Sequence, residues 1–219
     1  MIRALIFDFN GVIVESTDQN AQIYAEIFSD FGQSVVHQIK EHYKQTGGIP
    51  RQKRIEMYLR EFAGVEPTKS LIEEYSNKFR QKYLKSLEFV ELVPCVREFF
   101  TIYENKYDIF LSSGAPQQDL PEMLRRLNLE KYFLRGYGAP KTKTEHINDI
   151  LCTYAYKPDE VIFIGDSPKD KEAAQNNGIF FIARERGLDS LKKEQYKIFD
   201  LCELAKEIER IEKDLNKKN

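Results

Sequence analysis

The chain has 219 residues, of which 42% are hydrophobic and 12% aromatic, with 33 Lys and Arg against 35 Asp and Glu. That is apolar enough to bury a core, and too evenly charged for a polybasic nucleic-acid or membrane binder. No apolar run approaches the roughly 18 residues that a membrane-spanning helix needs.

The chain opens on Ala4-Leu5-Ile6-Phe7, a continuous apolar run that predicts a strand buried on both faces, followed by Asp8-Phe9-Asn10-Gly11 and Val12-Ile13-Val14. Asp8 comes too early for a signal peptide. From residue 16 to about 93 there is no buried-strand pattern. Instead Ile23, Ile27, Phe28 and Phe31 recur at helical spacing, as do Ile55, Tyr58, Leu59 and Phe62, and then Leu71, Tyr75, Phe79 and Tyr83. Gly47-Gly48-Ile49-Pro50 and Gly64-Val65-Glu66-Pro67 read as turns between them.

Further apolar runs at 107–111, 161–164 and 179–183 predict strands, and helical patterns fall at 120–127, 144–154 and 169–176. Such alternation predicts βαβ units: an α/β, Rossmann-like parallel sheet with helices on both faces. The predicted division is a core of residues 1–15 and 93–219 with an inserted α-helical cap over 16–92. The tail from 200 to 218 spaces Leu201, Leu204, Ile208, Ile211 and Leu215 as a helical seam, which docks on its own domain or forms a coiled-coil contact. Cys95, Cys152 and Cys202 are odd in number, widely spaced and form no CxxC. They predict reduced, mostly buried thiols in a cytoplasmic protein.

Ligands in an open parallel sheet sit beyond the carboxyl ends of the strands. Three of the predicted strand ends carry polar residues: Asp8-Phe9-Asn10-Gly11, Ser112-Ser113-Gly114 and Gly165-Asp166-Ser167-Pro168-Lys169-Asp170. Tyr137-Gly138-Ala139-Pro140-Lys141-Thr142-Lys143 adds a cation. Each segment has a plainer explanation. Asn10-Gly11 suits a hairpin turn, Ser112-Ser113-Gly114 and Asp166 suit helix caps, and Lys141 and Lys143 suit a solvated surface. Together, however, they gather carboxylate, hydroxyl and carboxylate at one sheet edge. Two carboxylates there call for an oxygen-liganded cation such as Mg²⁺.

At these positions the sequence resembles the haloacid dehalogenase superfamily of phosphatases and phosphomutases, including the phosphoglycolate phosphatase-like members with an α-helical cap. Asp8-Phe9-Asn10-Gly11-Val12 matches the first motif, Ser112 the second, and Gly165-Asp166-Ser167 with Asp170 the fourth. The lysine of the third motif is Lys141 or Lys143. We choose Lys143, because the segment is similar to the Tyr-Gly-Ser-Pro-x-x-Lys form of the motif. The resemblance implies a Mg²⁺-dependent phosphatase with Asp8 as nucleophile, passing through an aspartyl phosphate. It implies Mg²⁺ held by Asp8, Asp166 and the Asn10 carbonyl, with Asp170 ligating or orienting. Ser112, nearby backbone N–H groups and Lys143 would stabilise the phosphoryl oxygens, and Gly11 would let the chain turn closely around the phosphate.

This sequence departs from the family at Asn10, where the superfamily usually carries a second Asp that protonates the leaving group. A carboxamide cannot exchange a proton near neutral pH. The chain is thus an engineered variant, a natural enzyme for good leaving groups or with another base, or a phosphate-binding or regulatory member with impaired catalysis. The dehalogenase branch, which dispenses with Mg²⁺, would leave Asp166 and Asp170 without a purpose.

In the cap segment, Gly47-Gly48-Ile49-Pro50-Arg51 is similar to a Gly-Gly-Ile-x-Arg turn of superfamily members, and Ser113-Gly114-Ala115-Pro116-Gln117 to their Ser-Gly-Thr-Pro-Gln stretch. Gly48, Arg51, Ser113 and Gly114 are therefore predicted to meet a sugar phosphate or similar small phosphorylated metabolite; alternatively Arg51, Lys53 and Arg54 form a solvated helix face. His37, His42 and His146 lack metal-ligand spacing and are given no role. Cys95, where relatives often have Gly, is read as a packing substitution. Neither nucleic acid nor membrane is an expected partner, and the chain is read as a monomer or homodimer.

Overall fold

A computed structural model describes residues 1–187 and 191–217; Lys218, the last residue of the predicted tail helix, lies outside them. Strands β1 (Ala4–Phe7), β2 (Asp108–Pro116), β3 (Arg135–Ala139), β4 (Val161–Gly165), β5 (Phe180–Arg184) and β6 (Lys197–Ile198) form one parallel sheet in the order β3-β2-β1-β4-β5-β6. The predicted α/β, Rossmann-like class is what the chain adopts. β3 and β6 are additions to the four predicted strands.

The side-chain alternation of a strand explains why the apolar runs are continuous: both faces are covered. Leu5, Phe7, Ile109, Leu111, Ile162, Ile164 and Ile182 share a core with Val96, Phe99 and Phe100 of α5 (Val96–Tyr103). Met123 and Leu124 of α6 (Leu120–Arg126) and Leu204, Ile208 and Ile211 of α9 (Leu204–Asn216) complete that layer. The predicted tail seam thus docks on the chain's own sheet. On the other face Ala4, Ile6, Phe110, Val161 and Phe163 meet Ile147 and Ile150 of α7 (Lys143–Tyr154) and Ala173 and Ala174 of α8 (Pro168–Asn176).

Between β1 and β2 the chain forms α1 (Thr17–Ile27), α2 (Gln33–Gln45), α3 (Arg51–Met57), which runs on through a wider turn at Tyr58–Phe62, and α4 (Lys69–Ser86). Their shared interior is aromatic. Tyr24 lies 4.2 Å from Phe79 and 5.6 Å from Tyr58, and Phe28 lies 4.7 Å from Tyr75, centroid to centroid. Rings at such separations add favourable edge and offset contacts to their area burial.

The expectation for the cysteines is corrected. Cys95 and Cys202 form a disulfide across 107 positions with Cα atoms 5.1 Å apart, and the remaining thiol, Cys152, is exposed on α7. Cys95 precedes α5 and Cys202 lies just before α9; both helices cover one sheet face, so their starts are brought together, a proximity invisible in sequence spacing. Cys95 also has φ +66°, the left-handed region that suits a glycine, so it is more than a packing substitution. Among the described residues no helix is long and apolar enough to cross a membrane.

Candidate active site

The order of strands reverses at β1: the chain moves outward to β2 and β3, then returns to place β4 on the other side. A crevice opens beyond the strand ends at such a switch point. Asp8 follows β1 and Asp166 follows β4, the two strands flanking it. Asp8 continues the parity of Ala4 and Ile6, which faces α7 and α8, and the first turns of those helices supply Lys143 and Asp170.

Lys143 Nζ lies 2.7 Å from Asp8 Oδ1 and also contacts Asp170 Oδ1. Asp170 Oδ2 accepts from the Ser167 hydroxyl at 2.7 Å and from the Ser167 and Asp166 main-chain N–H groups at 3.0 and 3.2 Å. It is the third helical residue of a capping box begun by Ser167, so α8 itself fixes its rotamer. Thr142 and Glu145 cap α7 in the same manner and anchor Lys143. Asp166 Oδ2 is 2.5 Å from Arg186 Nη2. Lys141 instead turns outward to Asp149, 2.5 Å away.

Asp8, Asp166 and Asp170 are all buried, and each offers one oxygen within 4.8 Å of the others. Burial raises the Asp8 carboxyl above its ordinary range; Lys143 opposes this, while Asp170 and Asp166 add to it. Burial likewise raises Asp166, against Arg186. Burial disfavours the Lys143 ammonium, but Asp170 and Asp8 outweigh it, so its pKa stands above that of an ordinary lysine. Three repelling carboxylate oxygens around one point, starved of solvent, suit a hard divalent cation such as Mg²⁺. Gly11 completes the cradle: it has φ +79°, and a Cβ there would stand 2.1 Å from Asp166 Oδ2.

The cleft over these groups is lined by Asp8, Asn10, Lys143, Asp166, Gly114 and Arg186 from the sheet side, and by Tyr24, Gly48, Arg51, Arg54 and Tyr83 among others from the helical insertion. The turn at Gly47–Pro50 closes it: a Cβ on Gly48 would lie 2.7 Å from Lys169 Cβ. Arg51 is 4% exposed and reaches Asp119 Oδ2 at 2.7 Å, while Arg80 reaches Asp119 Oδ1 at 2.7 Å. Arg51 and Arg54 are therefore interior residues and only Lys53 belongs to a solvated face. Asn10 Oδ1 accepts from Ser16 Oγ at 2.7 Å, Tyr83 OH at 3.0 Å and Asn20 Nδ2 at 3.2 Å.

Ser112 is not turned to the cleft. It shares the parity of Phe110, faces α7 and lies 2.9 Å from His146 Nδ1. The His146 Nε2 is 3.1 Å from the Gly138 carbonyl, which can only accept, so Nε2 carries the hydrogen and Ser112 donates to Nδ1. Burial pushes His146 down to about 4, keeping it neutral. Ser113, one residue on and beside a register shift in β2, lines the adjoining cavity of about 290 Å³ with Gly114 and Lys143. Sequence reasoning missed His146, Arg186, Asp119 and Tyr83. Of these only His146 left a signal, its i+3 spacing from Lys143 on a predicted helix.

The family model of haloacid dehalogenase-like hydrolases matches residues 5–184, and the chain belongs to that family. A phosphorylated carbohydrates phosphatase of Thermotoga maritima is 25% identical over 187 residues, 81% of this chain and 82% of that one. A phosphoglycolate phosphatase of Synechococcus elongatus is 23% identical, covering 83% of each. Among solved structures, a predicted phosphoglycolate phosphatase from Haemophilus somnus superposes with a TM-score of 0.78 at 16% identity, over 94% of this chain and 97% of that one. A mutant of CbbY from Rhodobacter sphaeroides in complex with xylulose-(1,5)bisphosphate gives 0.75 at 16% identity, over 93% and 96%.

Proposed function

We propose that this haloacid dehalogenase-like hydrolase is a Mg²⁺-dependent phosphatase of small phosphorylated metabolites, sugar phosphates or similar, with Asp8 as nucleophile and helices α1–α4 as a cap over the site. The observation that carries the reading is the convergence of Asp8, Lys143, Asp166 and Asp170 at the switch point of the sheet. The phosphatase names of the relatives from Thermotoga maritima and Synechococcus elongatus support it.

Asp8, Asp166, Asp170 and the Asn10 main-chain carbonyl would hold Mg²⁺. When bound, the ion supplies charge neutralisation that lets an anionic phosphate approach an anionic nucleophile. An Asp8 oxygen forms a bond to phosphorus as the ester oxygen departs with the electron pair of the broken P–O bond; water then cleaves the acyl phosphate. Lys143, already beside Asp8, holds the phosphoryl oxygens as their charge redistributes. Ser113 and Gly114, rather than Ser112, border that position on the β2 side. Gly48 and Arg51 form the cap wall that excludes water. Asn10 cannot protonate the departing oxygen, so the enzyme favours leaving groups that need no proton.

Hydrolysis of an activated aryl phosphate, with and without Mg²⁺, tests the reading. Turnover that requires Mg²⁺ and vanishes in Asp8→Asn supports it. Absence of turnover both in the native chain and in Asn10→Asp overturns it in favour of a protein that only binds phosphate ligands.

A further inference from the structure

Among the described residues two ion pairs join helices α1–α4 to the rest of the chain, and both end on Asp119. Its Oδ2 accepts from Arg51 Nη1 of α3 at 2.7 Å, and its Oδ1 from Arg80 Nε of α4 at 2.7 Å. The carboxylate is fully buried and Arg51 nearly so, while 40% of the Arg80 side chain is exposed. Asp119 immediately precedes α6, where an Asp ordinarily caps its own helix by accepting from one of the first free N–H groups. Here the side chain makes no such bond. Both oxygens are spent across the boundary, on two different helices of the insertion.

Arg51 is the first residue of α3 and directly follows the turn at Gly47–Pro50. That turn is wedged between two loops at the strand ends. A Cβ on Gly47 would stand 2.6 Å from Ser167 Cβ, and one on Gly114 would stand 3.4 Å from the Ile49 carbonyl oxygen. Gly47, Gly48 and Ile49 wall the same cleft as Asp8 and Lys143, so whatever fixes Arg51 also fixes that wall. On its other side the Arg51 guanidinium carbon lies 5.0 Å from the Phe79 ring centroid, which seats it in the aromatic interior of the insertion.

A buried carboxylate that loses its partners is costly as long as it stays dry. When α3 and α4 move away, however, Asp119 and both guanidiniums regain water. The hydration recovered offsets much of the attraction given up, so an ionic tie of this kind holds firmly when shut and still opens.

We infer that Asp119 is the latch of the cap: a positioning residue that, through Arg51 and Arg80, holds α3 and α4 shut over the cleft and lets go when ligand enters or leaves. The inference rests on the reading of α1–α4 as a cap and on no particular substrate. Asp119 acts from outside the reacting groups, since the cleft beside Asp8 is lined by Arg51 and not by Asp119 itself.

The test is a pulsed dipolar distance between two spin labels on the full chain, with Cys152→Ser removing the exposed thiol and the disulfide kept. The labels are carried by Glu74→Cys on α4 and Lys131→Cys beyond α6, both on exposed positions. The chain with Asp119 intact gives one dominant short distance. In Asp119→Asn a longer distance accounts for about half of the molecules or more, and in Arg80→Gln, whose pair is partly screened by solvent, for about a fifth. Arg80→Lys, which keeps the charge, returns to the short distance. A chain that is mostly open with Asp119 intact, an Asp119→Asn chain as closed as its parent, or an Arg80→Lys chain as open as Arg80→Gln overturns the latch. Should Asp119→Asn fail to fold by circular dichroism, the two Arg80 variants decide. The distances are read without turnover, so a failed latch leaves the phosphatase reading standing, and a chain without phosphatase activity leaves the latch to be judged on its distances.

Discussion

Lys143 Nζ stands 2.7 Å from Asp8 Oδ1 while also contacting Asp170, so a single ammonium joins the groups after β1 and at the starts of α7 and α8. Removing it takes away both the attraction for phosphoryl oxygens and the positive charge that holds the Asp8 carboxyl down against burial. Lys143→Met is expected to lower kcat/KM for an aryl phosphate by about 10²–10³-fold. A loss below tenfold, with Asp8→Asn still inactive, would remove Lys143 from the chemistry.

Asn10→Asp is expected to raise Mg²⁺-dependent turnover by about 10²-fold or more, by restoring a group that can exchange a proton. The surroundings suit a carboxylate, since the Asn10 oxygen already accepts from Ser16, Asn20 and Tyr83. Rates measured on an ester with a poor leaving group should show the larger gain. Equal rates in the two forms would show that Asn10 is no deficit.

His146 predicts an acid-side loss of stability. Its imidazole is pushed down to about 4 by burial in the fold, against about 6.5 in an unfolded chain. Between those values the unfolded chain binds the proton and the folded one does not, so stability is level above about pH 6.5 and falls as pH drops toward 4. Unfolding free energies from urea titrations at pH 7.5 and pH 5 should differ by roughly 1–2 kcal/mol less in His146→Gln than in the native chain. An unchanged difference would assign the acid sensitivity elsewhere.

The Cys95–Cys202 bond closes a loop of 107 positions. Cross-links over long loops typically contribute about 2–4 kcal/mol. Dithiothreitol should therefore lower the Tm of the oxidised protein and leave Cys202→Ser unaffected. An equal response in both would show that the reagent acts elsewhere.

How much could be read beforehand depended on whether the information was local. β1, β4 and β5 are continuous apolar runs and were plain. β3 was not, because Arg135-Gly136-Tyr137-Gly138-Ala139 carries two glycines and no β-branched residue. α2 escaped because only Val35 and Ile39 on it are buried. Asp8, Asp166 and Asp170 were legible because each follows a strand or begins a helix, where chain order forecasts convergence, whereas Lys143 was told from Lys141 only by the resemblance of its segment to the family motif. Ser112 against Ser113 was not, since the alternation of side chains makes a one-residue slip a change of face. The burial of Arg54 and the pairing of Cys95 with Cys202 depend on packing between distant segments, about which local spacing is silent.

The central position of β1 has a bearing on biosynthesis. Its neighbours are β2, which begins at Asp108, and β4, which begins at Val161. β1 therefore leaves the ribosome well before β2 can pair with its first edge, and longer still before β4 covers the second. During that interval Ala4-Leu5-Ile6-Phe7 is a sticky, unpaired ribbon, the kind of segment that nascent-chain chaperones shield.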